Sequence, residues 1–155
     1  MILGLSAGFH DAGATLIDKQ GNIVFAGHAE RYSGIKNDAN LNQELIDDAL
    51  SYGKPTSIAW YENTWLKRSR QLYSGEWRKA IDLTTLPKNL INPFLKHKLP
   101  IKSYGHHKCH AAAGFQTSPF ENAIAIVVDA IGEWDTISVW ECNYKPVYLG
   151  KPKAV

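Results

Sequence analysis

Cysteine is scarce in this chain, and so are any excess of charge and any long apolar run. Cys109 and Cys142 are its 2 cysteines in 155 residues, one in a candidate helix and one in a candidate strand. That excludes a disulfide framework and fits a reducing compartment. Lys and Arg number 17 against 15 Asp and Glu, a formal charge of +2, which points to neither a nucleic-acid partner nor a membrane surface. The longest apolar stretch, Ala123 to Val128, is far shorter than the roughly 20 residues a bilayer span needs. Met1-Ile2-Leu3-Gly4-Leu5 lacks the basic opening of a secretory signal and reads as a first strand, so the expected location is the cytoplasm. What is present is ordinary for a globular chain: 45% hydrophobic and 21% charged residues, enough for one core or one large lobe of something bigger.

Residues 2 to 6 and Ala12 to Asp18 are strand-like, with Gly8-Phe9-His10-Asp11 between them. Asp18 to Asn22 supplies turn chemistry before Ile23-Val24-Phe25-Ala26, which predicts an antiparallel hairpin. Leu41, Leu45, Ile46, Ala49 and Leu50 recur at helical spacing, with Asn40 as the cap and Gly53 and Pro55 as the stop. Ser57 to Tyr61 predicts a short strand, and Trp65 to Lys98 helical pieces broken at Pro87 and Pro93. A helix then begins near His106, stops at Thr117-Ser118-Pro119, and carries Ala111, Ala112, Ala113 and Gly114 for close packing on a sheet.

From Ala123 the pattern of strand, turn and strand restarts, with Asp129 in the first turn region, Ile137 to Glu141 as the next strand and a turn at Asn143. Val147-Tyr148-Leu149-Gly150 reads as a further strand that stops at Lys151 to Val155, which looks like a truncation. A βββαβα unit followed by a second βββ opening predicts an α/β protein of two similar lobes: residues 1–122 as the first lobe and 123–155 as the start of the second.

The chemistry concentrates in His106-His107-Lys108-Cys109-His110 and in Asp129, nineteen residues after His110. On a helix His106 and His110 lie one turn apart on one face, so two imidazoles can reach one metal ion. Histidines four apart also occur on helices that bind nothing, and His107, three before His110, could replace His106. A carboxylate from a neighbouring strand tip would complete a nitrogen and oxygen shell suited to iron, manganese or zinc. Asp129 is the candidate. The two turns Gly8-Phe9-His10-Asp11-Ala12-Gly13 and Asp129-Ala130-Ile131-Gly132-Glu133 occupy equivalent places and have the small residues of anion-binding turns.

Taken in order, Phe9-His10-Asp11-Ala12-Gly13-Ala14, Ala29-Glu30-Arg31-Tyr32 with Lys36, His106 to Ala112, Ser118-Pro119-Phe120 and Asp129 to Thr136 resemble the N-terminal part of the NodU/CmcH family of O-carbamoyltransferases. The resemblance implies a Kae1-like domain with the actin-like ATPase (ribonuclease H-like) fold. It also implies a divalent metal held by His106, His110 and Asp129, and a nucleotide site that includes Gly8, Asp11, Gly13, Gly132 and Glu133. His10 matches a histidine near the transfer site, and Lys36 a lysine facing the carbonyl or anionic part of the intermediate. The implied reaction moves a carbamoyl group from carbamoyl adenylate, made from carbamoyl phosphate and ATP in a YrdC-like domain, to a hydroxyl of a small metabolite. A further aspartate ligand belongs to a C-terminal half absent here, so this fragment by itself is expected to be inactive. Three departures stand out: Ala29 where many relatives carry a second glutamate, Ala130 where they usually carry glycine, and Asp135 where the position is often small or apolar.

The residue types suit that chemistry, since attack by a hydroxyl needs a base, and the developing oxyanion needs positive charge. Two rivals use the same residues differently. A sugar-kinase-like phosphotransferase on the same fold would give the histidine pair no task. A noncatalytic module would bind a partner through Trp65, Trp77, Arg68, Arg70 and Arg78.

Overall fold

Alternation of buried and open positions explains the first three strands. In the computed structural model, which describes residues 1–147 and 151–154, Leu3 and Leu5 of β1 (Ile2–Ser6) and Ala14 and Leu16 of β2 (Gly13–Ile17) point into the core. β3 (Ile23–His28) completes the antiparallel hairpin with β2. β4 (Ser57–Trp60) and β5 (Ile101–Ser103) then add to the other side of β1, both parallel to it, giving the order β3-β2-β1-β4-β5. The result is an α/β architecture on a mixed five-stranded sheet. β5 has no counterpart in the sequence reading, because three residues are too few to show a period.

Short α1 (Glu30–Ser33) follows β3, and α2 (Gln43–Ser51) buries Leu45, Ile46 and Ala49 in the core that Leu3, Leu5, Leu16, Ile58 and Trp60 share. Each fully buried leucine or isoleucine among these stabilises the fold by about 1.5–3 kcal/mol. The cap of α2 is Asn42, not Asn40: the Asn42 side chain accepts from the Leu45 N–H at 2.9 Å, while the Asn40 N–H is turned to Asp38. The basic middle folds as α3 (Thr64–Tyr73), α4 (Trp77–Ile81) and α5 (Pro87–Ile91), with short 3₁₀ turns at Leu83–Thr85 and Asn92–Phe94. Pro87 opens α5 instead of breaking a helix, as its missing N–H allows at a first position.

α6 (His106–Gln116) buries His107, Ala111 and Phe115, four residues apart, so the predicted packing of Ala112, Ala113 and Gly114 on a sheet is wrong. Those three are exposed because a helix of this length presents only one stripe to a neighbour. The neighbour is a second sheet, β6 (Asn122–Gly132), β7 (Asp135–Val147) and β8 (Lys151–Ala154), all antiparallel. β7 runs straight through Asn143, where a turn was expected, because Asn143 pairs with Asn122 in register. The predicted end of structure at Lys151 is replaced by β8, and Tyr148, Leu149 and Gly150 of the predicted last strand lie outside the described residues.

One face of the β6–β7 hairpin carries Ile124, Ile126, Val128, Ile137 and Val139, all more than 60% exposed. The other face, with Val127 and Cys142 buried, lies on α6. Among the described residues no helix is long and apolar enough to cross a membrane.

Candidate metal centre

Parallel β1, β4 and β5 end on one edge of the first sheet, and the segments after them carry the chemistry, as expected at the carboxyl ends of strands. After β1 come Gly8 to Asp11, after β4 Tyr61 to Asn63, and after β5 the first turn of α6. Asp129 arrives from β6. Val128 pairs with Ile137 and Gly132 with Asp135, so Asp129, Ala130 and Ile131 oppose Thr136 alone. A bulge of this kind re-aims side chains, and by strand alternation Asp129 shares the α6 face with Val127.

His106, His110 and Asp129 meet there, their ligand atoms all within 4.8 Å of one another. His106 Nε2 lies 2.7 Å from Asp129 Oδ2 and 3.1 Å from His110 Nε2, and His110 Nε2 lies 4.0 Å from Asp129 Oδ2. Donors bound to one ion at roughly 2.0–2.2 Å stand about 2.8–3.6 Å apart at right-angled to tetrahedral geometry, so the three distances bracket what an ion requires. The proton chemistry agrees. A His106 Nε2 that donates to Asp129 has no lone pair left for His110, whereas a cation accepts lone pairs from all three. Burial, followed by the neighbouring His106, holds the His110 imidazole below the usual histidine range. At Asp129 burial pushes the carboxyl up, but the His106 hydrogen bond, the Ala130 N–H and the charges of both histidines outweigh it and leave it below the usual carboxylate range. Neutral imidazole and ionised carboxylate are the forms a metal takes up.

His107, which the spacing left as a substitute for His106, is buried and turned away. Its Nδ1 is 2.7 Å from the Ser138 hydroxyl on β7, which also accepts from Trp140 Nε1. Ala130 keeps an ordinary backbone: the positive-φ residues other than glycine among the described ones are Asp11, Asn37 and Glu133. The glycine it replaces is therefore not required for left-handed geometry at that position.

His10 is exposed, its Nδ1 2.8 Å from Asp11 Oδ2 and its ring 4.8 Å from that of Phe9. Lys36 and Asp11 line an open cleft of about 770 Å³ together with His28, Glu30, Arg31 and Asn37. Among the described residues no hydrogen bond or ion pair joins His10, Asp11 or Lys36 to the histidine cluster. Gly8 takes φ 86° and its N–H donates to Ala39 O at 2.7 Å, while the Ala12 N–H donates to Asp38 O. The 38–39 segment thus occupies two of the N–H groups of the turn. Gly13 sits where a Cβ would meet the Gly27 carbonyl at 3.2 Å, a close strand approach.

Two neighbours had no signal in the sequence reading. Tyr61 donates its hydroxyl to the Ala7 carbonyl at 3.3 Å and sets its ring edge-on to His106 at 5.8 Å, spanning the β1 turn and the cluster. Its position just past a parallel strand is the clue that was available. Asn63 caps α3 with its side chain, and its own N–H donates to Glu133. Gly132 pairs with Asp135 in the same hairpin. Arg68, by contrast, is buried and donates to the Asp82 carbonyl, so it is unavailable to a partner, although Trp65 and Trp77 are exposed.

An α/β domain with two histidines and a carboxylate gathered at the carboxyl edge of its parallel strands is the class this geometry defines. The family model described as carbamoyltransferase N-terminus matches residues 65–147, more than half of the chain. The chain belongs to that family. It is also 30% identical to an uncharacterized protein of Synechocystis sp., in a match that covers 90% of this chain and 27% of that protein. The chain thus spans about a quarter of the length of that relative.

Proposed function

We propose that the chain is the metal-holding part of an O-carbamoyltransferase of the NodU/CmcH type, which moves a carbamoyl group from carbamoyl adenylate to a hydroxyl of a small metabolite. The observation that carries this reading is the meeting of His106, His110 and Asp129 in a chain of the carbamoyltransferase N-terminal family. The strand order β3-β2-β1-β4-β5 supports an actin-like fold, with residues 1–122 as the first lobe of a Kae1-like domain and 123–155 as the opening of the second. The bare apolar face of the β6–β7 hairpin supports a further polypeptide, the C-terminal half, packing on this one, as does the greater length of the relative. A YrdC-like domain, ATP and carbamoyl phosphate would belong to the complete protein.

In this reading His106, His110 and Asp129 hold a divalent ion, iron, manganese or zinc, which when bound supplies Lewis acidity and a template for phosphate oxygens. His10 is the base. Its Nδ1–H donates to Asp11, which leaves the Nε2 lone pair to take the proton as the acceptor oxygen bonds to the carbamoyl carbon. The carbon–oxygen bond of the mixed anhydride breaks, and the adenylate leaves with that electron pair. The Lys36 ammonium, in the open cleft with Asp11, supplies positive charge for the oxyanion. The glycine turns at Gly8 and Gly13 and at Gly132-Glu133 border the nucleotide.

Titration of the protein with zinc(II), manganese(II) and iron(II) by calorimetry tests the metal reading. His106→Ala and His110→Ala should each weaken binding by more than roughly 100-fold, beyond the loss typical of residues that only support ligands. Unchanged affinity in both variants would sink it.

A further inference from the structure

Glu133 and Trp134, side by side in the β6–β7 turn, both reach across to the first sheet's layer. One carboxylate oxygen of Glu133 accepts from two backbone N–H groups, those of Asn63 and His106, the latter at 3.2 Å. Asn63 is the cap of α3 and His106 the first residue of α6. The capping position of α6 is Gly105, which has no side chain to offer its first turn, so Glu133 satisfies one of its open donors from a distant strand pair. A negative charge at two helix N-termini is well placed against both dipoles. Beside it, Trp134 Nε1 donates to Ser69 Oγ at 3.1 Å and its ring lies 5.5 Å from Tyr73, fastening the same turn along α3.

We propose that Glu133 is the positioning residue of the His106, His110 and Asp129 cluster, locking the hairpin that carries Asp129 onto the first turn of the helix that carries both histidines. The inference rests on the metal reading and adds to it. Asp129 lies in a bulge, where the ladder fixes register weakly; alongside the contact of Ser138 with His107, Glu133 crosses from β6–β7 to the start of α6, and it alone of the two also reaches the cap of α3. Its backbone points the same way. Glu133 takes φ 55°, left-handed geometry that glycine or asparagine adopts with less strain. The turn alone would be better served by glycine, and what glutamate adds is the carboxylate.

Cobalt(II) titration followed by d–d absorption, together with amide hydrogen exchange at Asn63 and His106, tests the proposal. Glu133→Ala should weaken cobalt binding by roughly ten- to a hundred-fold and change the band pattern, as loss of an orienting contact does. Glu133→Gln, which keeps an acceptor oxygen, should recover part of both. Glu133→Gly relieves the left-handed strain, so it should stay folded and melt above Glu133→Ala, and yet bind cobalt as weakly as Glu133→Ala. Wild-type binding and spectra in a folded Glu133→Gly variant would overturn the proposal. If the wild type itself takes up no cobalt, the metal reading fails and the lock is judged by exchange alone. Protection at Asn63 and His106 then falls by at least roughly tenfold in Glu133→Gly if the lock exists, and unchanged protection overturns it.

Discussion

The five-stranded layer and the β6–β7 hairpin solve the same problem differently. In the first, Leu3, Leu16, Leu45, Ile46, Ile58 and Trp60 are fully enclosed, because α2 and the segment around Ile91 close over the sheet. In the second, α6 covers one face and five β-branched residues stay open on the other. The first region supplies its own stability, while the second draws its placement from neighbours: the stripe His107, Ala111 and Phe115, the bond from His107 to Ser138, and the reach of Glu133 and Trp134 to α3 and α6. The histidine cluster lies on the seam between them. A site in that place reports whether the two regions are in register.

The contrast can be broken first where it is largest. Trp60→Ala opens a cavity in the enclosed layer and should cost about 3–5 kcal/mol in urea unfolding. Ile126→Ala on the bare face should change the same measurement by no more than about 0.5 kcal/mol, as at an uncovered surface. Comparable losses would mean that the hairpin face is covered in this chain too.

Acid sharpens the contrast less strongly. His110 sits below its ordinary value of 6.5 and Asp129 below 3.8, so at both sites the unfolded chain takes up protons before the folded one does. Stability therefore falls as pH drops below 6.5 toward the depressed His110 value, and falls again below 3.8 as Asp129 is protonated. Above 6.5 both forms of His110 are neutral and its contribution is flat. Urea midpoints from pH 7.5 down to about 5 should show the first decline, and His110→Asn should flatten it. An unchanged slope in that variant would remove His110 as its source.

Much of the first region was legible in the sequence, because strands that bury one face announce themselves by alternation. β1, β2, β3 and β4 all fall within a residue or two of their predicted bounds. What failed was local chemistry with two solutions. Asn40 and Asn42 are equally good caps by type, and only the docking of the 38–40 segment on the β1 turn selects Asn42. Asn143 looks like a turn until its pairing partner Asn122 is known.

The cluster itself was half legible. The two histidines share a helix, so their spacing fixes their mutual position, and a carboxylate at the end of an apolar run is a natural third member. His107 could be separated from His106 only by knowing which stripe of α6 is buried. The contact of Tyr61 with His106 and the reach of Glu133 to Asn63 and His106 depend on how three separate segments are brought together, and of these the sequence marks only the place of Tyr61 just past a parallel strand.

X-ray absorption at the zinc edge of the metal-loaded protein tests the central claim most directly. The account predicts a shell of nitrogen and oxygen at about 2.0–2.1 Å with the outer-shell scattering of two imidazoles, reduced to one in His106→Ala. A sulfur shell at about 2.3 Å, drawn from Cys109 or Cys142, or a spectrum without imidazole scattering, would contradict it.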